Sequence, residues 1–123
     1  MPEHADLATF ISDNFRSVWT LEILLFLKDH AATAWQNEPL IQALRASDAI
    51  VSTSVESLLA AGLILADKGG AQYSPATEDL EELVEETHRL YARKPDAVRR
   101  LIASPSGSSL SAFVDSFRFR SDK

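Results

Sequence analysis

Residues 37–75, NEPLIQALRASDAIVSTSVESLLAAGLILADKGGAQYSP, confine what this chain can fold into more than any other stretch. They read as a short helix, a tight turn, a second helix, a glycine stop and two short strands about a Gly-Gly turn. Asn37 can cap the first helix, and Pro39 is tolerated in its first turn, where no intrahelical donor is needed. Leu40, Ile41 and Leu44 recur at helical spacing. Ser47 or Asp48 caps the second helix, whose apolar stripe is Val51, Val55, Leu58 and Leu59. Gly62 suits the left-handed position that ends a helix, so a positive φ is expected there. Leu63, Ile64 and Leu65 enter a strand, Gly69 and Gly70 turn the hairpin, and Ala71, Gln72 and Tyr73 return, giving a hairpin over 63–74.

This order, and in particular VESLLAAGLI followed by a Gly-containing hairpin and Tyr73, resembles the winged helix-turn-helix superfamily over about half of the chain. In many bacterial regulators of that type a similar phrase closes the recognition helix and begins the wing. The resemblance implies a mainly α fold with a small β-hairpin: a winged helix-turn-helix with extra N- and C-terminal helices. It also implies a bacterial-type transcriptional regulator, a homodimer that binds double-stranded DNA without catalysis. Its contacts would be Arg45 on phosphate, Ser52, Thr53, Ser54 and Ser57 on the recognition helix, and Lys68 on the wing. Winged helices serve protein binding as well as DNA binding, so fold alone does not choose the target.

Charge bears on that choice. The chain carries a net −6. Residues 1–62 hold three basic against eight acidic side chains, and residues 63–88 hold Lys68 against seven acidic ones. Residues 89–123 reverse the balance, with eight basic against three acidic. Affinity for duplex DNA rests largely on Lys and Arg neutralising phosphates. From Asp48 to Ala61 there is no Lys, Arg, Asn or Gln, the side chains that most often read base edges. The positions expected to be exposed are Ser52, Thr53, Ser54, Glu56 and Ser57. A second reading therefore stands beside the first: a winged-helix interaction module whose acidic surface and amphipathic tail hold a protein partner. If DNA is the target, the cluster Arg93, Lys94, Arg99 and Arg100 is a further source of phosphate contacts.

A chain of 123 residues with 46% apolar side chains supports one core and argues against intrinsic disorder. There is no cysteine, which excludes disulfides and thiolate metal sites. The start, MPEHADLATF, lacks the basic and apolar regions of a signal peptide, and the longest apolar run, Ile23 to Leu27, is far too short to span a bilayer. A cytoplasmic protein with no membrane contact is the expectation. No cofactor and no metal are expected: Glu85 and His88 form a single E-x-x-H unit, whereas carboxylate-bridged sites need two such units and further carboxylates. Nor is there a nucleophile motif or phosphate loop, and the three histidines are scattered, so no catalytic residue is assigned.

On the N-terminal side, Asp6 can cap a helix carrying Leu7, Phe10, Ile11 and Phe15, and Ser17 caps a nearly all-apolar helix in which Trp19 and Phe26 are the expected bulky core anchors. Beyond the hairpin, a Thr77 cap opens a long helix with Leu80, Leu83, Val84, Thr87, Leu90 and Tyr91 on one stripe. Its acids come first and its bases last, complementing the helix dipole, with Glu85 and Arg89 spaced to pair. Pro95 ends it and starts another helix, with Val98, Leu101 and Ile102 inward and Arg99 and Arg100 outward. The organisation expected is a winged-helix domain with flanking helices over 1–103, a flexible SPSGSS linker over 104–109, and an amphipathic helix or tail over 110–123. In the tail, Leu110, Phe113, Val114 and Phe117 follow helical spacing and form the expected partner or dimer interface.

Overall fold

The structure, a computed structural model, describes residues 4–103. Among these, six helices and one two-stranded antiparallel sheet follow in the order α1 His4–Asn14, α2 Val18–Asp29, α3 Asn37–Leu44, α4 Asp48–Ala60, β1 Ile64–Asp67, β2 Gly70–Tyr73, α5 Glu78–Arg93 and α6 Pro95–Ala103. The expected linker and the apolar tail residues Leu110, Phe113, Val114 and Phe117 lie outside the described residues. The chain separates into two compact units, one over Ser17–Glu81 and one whose described part is 4–16 with 82–103.

In the first unit, helix ends are fixed by local chemistry. The Ser17 hydroxyl accepts from the Thr20 N–H at 3.3 Å and opens α2. The Ser47 hydroxyl accepts from Ile50 N–H at 3.1 Å and opens α4. At the far end of α4, Gly62 takes φ 78°, its N–H reaching Leu59 O and the Leu63 N–H reaching Leu58 O, both at 3.1 Å. This is the paired closure that a residue without Cβ makes easy. Asn37 departs from expectation. The residue capping α3 is Gln36, with no side-chain cap bond, and the Asn37 amide instead reaches across to Ser52 Oγ at 3.2 Å.

α2 and α4 pack against each other, and Leu21 and Leu24 of α2 and Val51 and Leu58 of α4 are fully buried. Between them lies a buried hydroxyl pair, Thr20 Oγ1 and Ser54 Oγ, 3.1 Å apart. Trp19 and Phe26 are helical but only half-buried, which corrects their assignment as core anchors. With Glu22 they form one stripe at i, i+3 and i+7, and that stripe is the side of α2 turned toward its margin. Leu59 likewise leaves its assigned stripe: it is 44% exposed, about 100° round the helix from Leu58.

The hairpin pairs Ile64 with Tyr73, Leu65 with Gln72, Ala66 with Ala71 and Asp67 with Gly70. Its turn is therefore Lys68-Gly69, one residue earlier than Gly69-Gly70. Asp67 Oδ1 takes the Gly69 N–H at 2.8 Å, a side-chain bond that favours this turn. Gly70 belongs to the strand at φ 115°, where a Cβ would overlap the backbone of Trp35. Trp35 explains the approach, because its N–H and carbonyl both pair with Ala71 at 2.7 Å and add a one-residue third strand between α2 and α3.

The second unit is held by apolar stripes. α1 packs on α6. Leu7, Phe10, Ile11 and Phe15 are buried, as are Val98, Leu101 and Ile102, and the rings of Phe10 and Phe15 meet edge to face at 5.7 Å. Asp6 lies inside α1 rather than at its cap. Thr87, fully buried, satisfies its hydroxyl on the Leu83 carbonyl one turn back, at 2.7 Å. Arg89 pairs with Glu86 at 2.6 Å, where Glu85 was the expected partner. Pro95 opens α6, its missing N–H falling where no intrahelical bond is made. Thr77 Oγ1 takes the Leu80 N–H at 3.1 Å and opens α5 as its sequence suggests.

Candidate functional site

The face to weigh is the outer side of α4 with the turn before it and the hairpin beyond. Burial of Val51, Ser54 and Leu58 fixes the rotation of α4. Asp48, Ala49, Thr53, Glu56, Leu59 and Ala60 are thereby exposed, with Ser52 and Ser57 half-buried. Ser54 is 3% exposed and bonded to Thr20, so it faces the core and not a partner, contrary to its place among the exposed contact residues. Ser52 already accepts from Asn37. Thr53 is the hydroxyl of the expected set that stands fully exposed, on a helix whose charged exposed side chains are the carboxylates of Asp48 and Glu56.

The two cations assigned to this face are both exposed. Arg45 ends α3 with φ 56° and ψ 41°. Lys68 occupies the hairpin turn, its carbonyl accepting from Gln36 Nε2 at 3.3 Å. Neither side chain has an ion-pair partner among the described residues. The hairpin is further tied down by Gln72 Nε2, which donates to Ala31 O at 2.8 Å. Across Ser17–Glu81, three cations face nine carboxylates, a net of −6.

The basic cluster of the second unit is partly engaged at home. The Arg99 guanidinium lies over the Tyr91 ring at 5.7 Å and bonds Asp96 Oδ1 at 3.3 Å. Its pKa is raised above the ordinary arginine value, first by the contact with Tyr91 and then by Asp96. Arg93 and Arg100 are exposed with no ion-pair partner among the described residues, and Lys94 is half-buried.

Sequence reasoning missed two contributors. One is Trp35, whose ring meets Phe26 at 4.8 Å and His30 at 5.4 Å and whose backbone braces the hairpin. The other is the exposed Leu65, 64% accessible on the outer face of β1. Among the described residues no helix is long and apolar enough to cross a membrane, and no three His, Asp or Glu side chains gather as a metal site would need. Comparison of the chain with protein-family models, characterised proteins and solved structures finds no match.

Proposed function

We propose that this chain is a small winged-helix regulatory protein that contacts double-stranded DNA mainly through phosphates, with little reading of bases. The observation that carries the reading is the order of elements about Trp35. A helix, a bridging strand residue, two helices joined by a tight turn, and a hairpin that pairs back to that residue follow in the order that the winged-helix reading expects, and this supports it. Two unpaired cations, Arg45 and Lys68, accompany it on the turn and the hairpin tip. α4 is the helix that would approach the major groove, and its small exposed side chains, Ala49, Thr53 and Ala60, permit a close approach.

Charge sets the strength. Each phosphate neutralised contributes about 0.9 to the slope of log affinity against log salt. Two free cations on an acidic unit give a shallow slope and binding confined to low salt. A homodimer doubles the contacts. A salt titration against short random-sequence duplex DNA tests the reading. Binding at low salt that fades as salt rises supports it, and no binding at the lowest salt removes it.

A second reading rests on Asp48 and Glu56, the exposed carboxylates of α4. They suit a protein partner with basic side chains better than a duplex. Loss of binding to a basic partner when both are replaced by Asn and Gln distinguishes this reading from the first.

A further inference from the structure

Two adjacent amide side chains stand where α3 begins, and both bond to other elements. Gln36, at the cap position, makes no side-chain cap bond, and its Nε2 donates to the Lys68 carbonyl in the hairpin turn at 3.3 Å. Asn37 Nδ2 donates to Ser52 Oγ on α4 at 3.2 Å. The backbone beneath them is fixed. Trp35, one residue before, is held by both of its bonds to Ala71 at 2.7 Å, and the Gln36 carbonyl takes the Leu40 N–H at 3.2 Å as α3 opens. A Cβ on Gly70 would run into the Trp35–Gln36 peptide, so the hairpin lies directly against this point of the chain. One fixed pair of residues thus holds the hairpin turn with one side chain and α4 with the next. Both bonds are exposed, where a hydrogen bond replaces one to water and adds little to stability. Ordering the long glutamine side chain also costs rotamer freedom. Stability does not account for the pair, whereas a fixed spacing does.

We propose that Gln36 and Asn37 are positioning residues that set the spacing between the Lys68 turn and α4, so that both meet one duplex together. This rests on the DNA reading above and adds to it two uncharged residues that act without touching DNA. The Gln36 bond holds the backbone of the turn that carries Lys68. The Asn37 bond holds Ser52, the residue before the exposed Thr53. With either bond released, the hairpin turn and α4 move independently, and Lys68 no longer meets a phosphate each time α4 is seated.

The test compares the full-length wild type with Gln36→Met, Asn37→Ala, Lys68→Ala and the double variant Gln36→Met/Lys68→Ala. Fluorescence anisotropy with random-sequence duplex DNA is measured over a salt series, and the melting of each protein beside it. Gln36→Met keeps the length of the side chain and removes its donor. Lys68→Ala should lose about 0.9 from the salt slope. Gln36→Met removes no charge, yet it should lose most of the same slope and bind several-fold more weakly. In the double variant it should add nothing to the loss from Lys68→Ala. Asn37→Ala should behave as Gln36→Met does, and all should melt close to the wild type. The inference is overturned if the wild type binds and Gln36→Met keeps its slope. It is equally overturned if Gln36→Met weakens binding by the same factor with and without Lys68, which would mark a direct contact of Gln36 with DNA. Melting lowered in step with affinity would assign the two bonds to the fold and overturn it too. A wild type that binds no duplex removes this inference together with the DNA reading.

Discussion

Between residues 17 and 81, hydrogen bonds join groups far apart in the chain. Thr20 meets Ser54, Trp35 meets Ala71, Gln36 meets the Lys68 carbonyl, and Gln72 meets the Ala31 carbonyl. In residues 4–16 and 82–103, the polar bonds of Asn14, Thr87 and Arg89 reach only three or four residues back, while α1 packs on α6 and Phe15, Leu101 and Ile102 are buried. A bond between named atoms fails when one of them is removed, whereas an apolar stripe fails in proportion to the volume taken out of it. The first unit should therefore be sensitive to identity at a few polar and glycine positions, and the second to size.

The largest effect should come from size. Phe15→Ala empties a fully buried site and should lower stability by about 4 kcal/mol in urea unfolding. A loss under about 1 kcal/mol would mean that the stripe of the second unit is not what holds it. Next should come a change of a single methyl group. Gly70→Ala must relieve an overlap with the Trp35 backbone and leave a φ of 115°, for a loss of about 3 kcal/mol. Equal stability of this variant and the wild type would show that the Trp35 bridge is dispensable.

Smaller, and aimed at the contrast itself, is a double-mutant cycle on Thr20→Val and Ser54→Ala. A coupling of about 1 kcal/mol is expected, because either single change leaves one buried hydroxyl without its partner across α2 and α4. Additive losses would remove the pair as a specific tie. The smallest effect should be Arg89→Ala: its ion pair with Glu86 is exposed and local, and melting should be unchanged within error.

What could be read from the sequence divides along the same line. Ser17, Ser47, Thr77 and Gly62 were legible because a cap is decided by the few residues beside it, and the inward stripes of α1 and α6 because amphipathic periodicity points them. α2 defeats periodicity: a helix apolar on nearly every side does not announce which stripe meets its margin, and Trp19 and Phe26 lie there half-buried. Ser54 looked like a surface serine because the hydroxyl that satisfies it lies 34 residues away. The Trp35 bridge left no local trace, since a one-residue strand has no alternation. Without it the two glycines of the hairpin could not be told apart. Of the proposed contact residues, Arg45, Thr53 and Lys68 are exposed as expected, while Ser52 is engaged and Ser54 is internal.

The bridge at Trp35 also turns the connection between α2 and α3 into a ruler. Five residues, from His30 to Ala34, separate the end of α2 from the residue that must present both its N–H and its carbonyl to Ala71. Adding or deleting one residue there brings a neighbour into register and sends the indole to the opposite side, because successive residues of an extended chain alternate. The indole would then lose Phe26 and His30 even where the backbone pair re-formed. Length variation in this protein is therefore barred from a connection that, as exposed residues between two helices, has every outward mark of a tolerant loop.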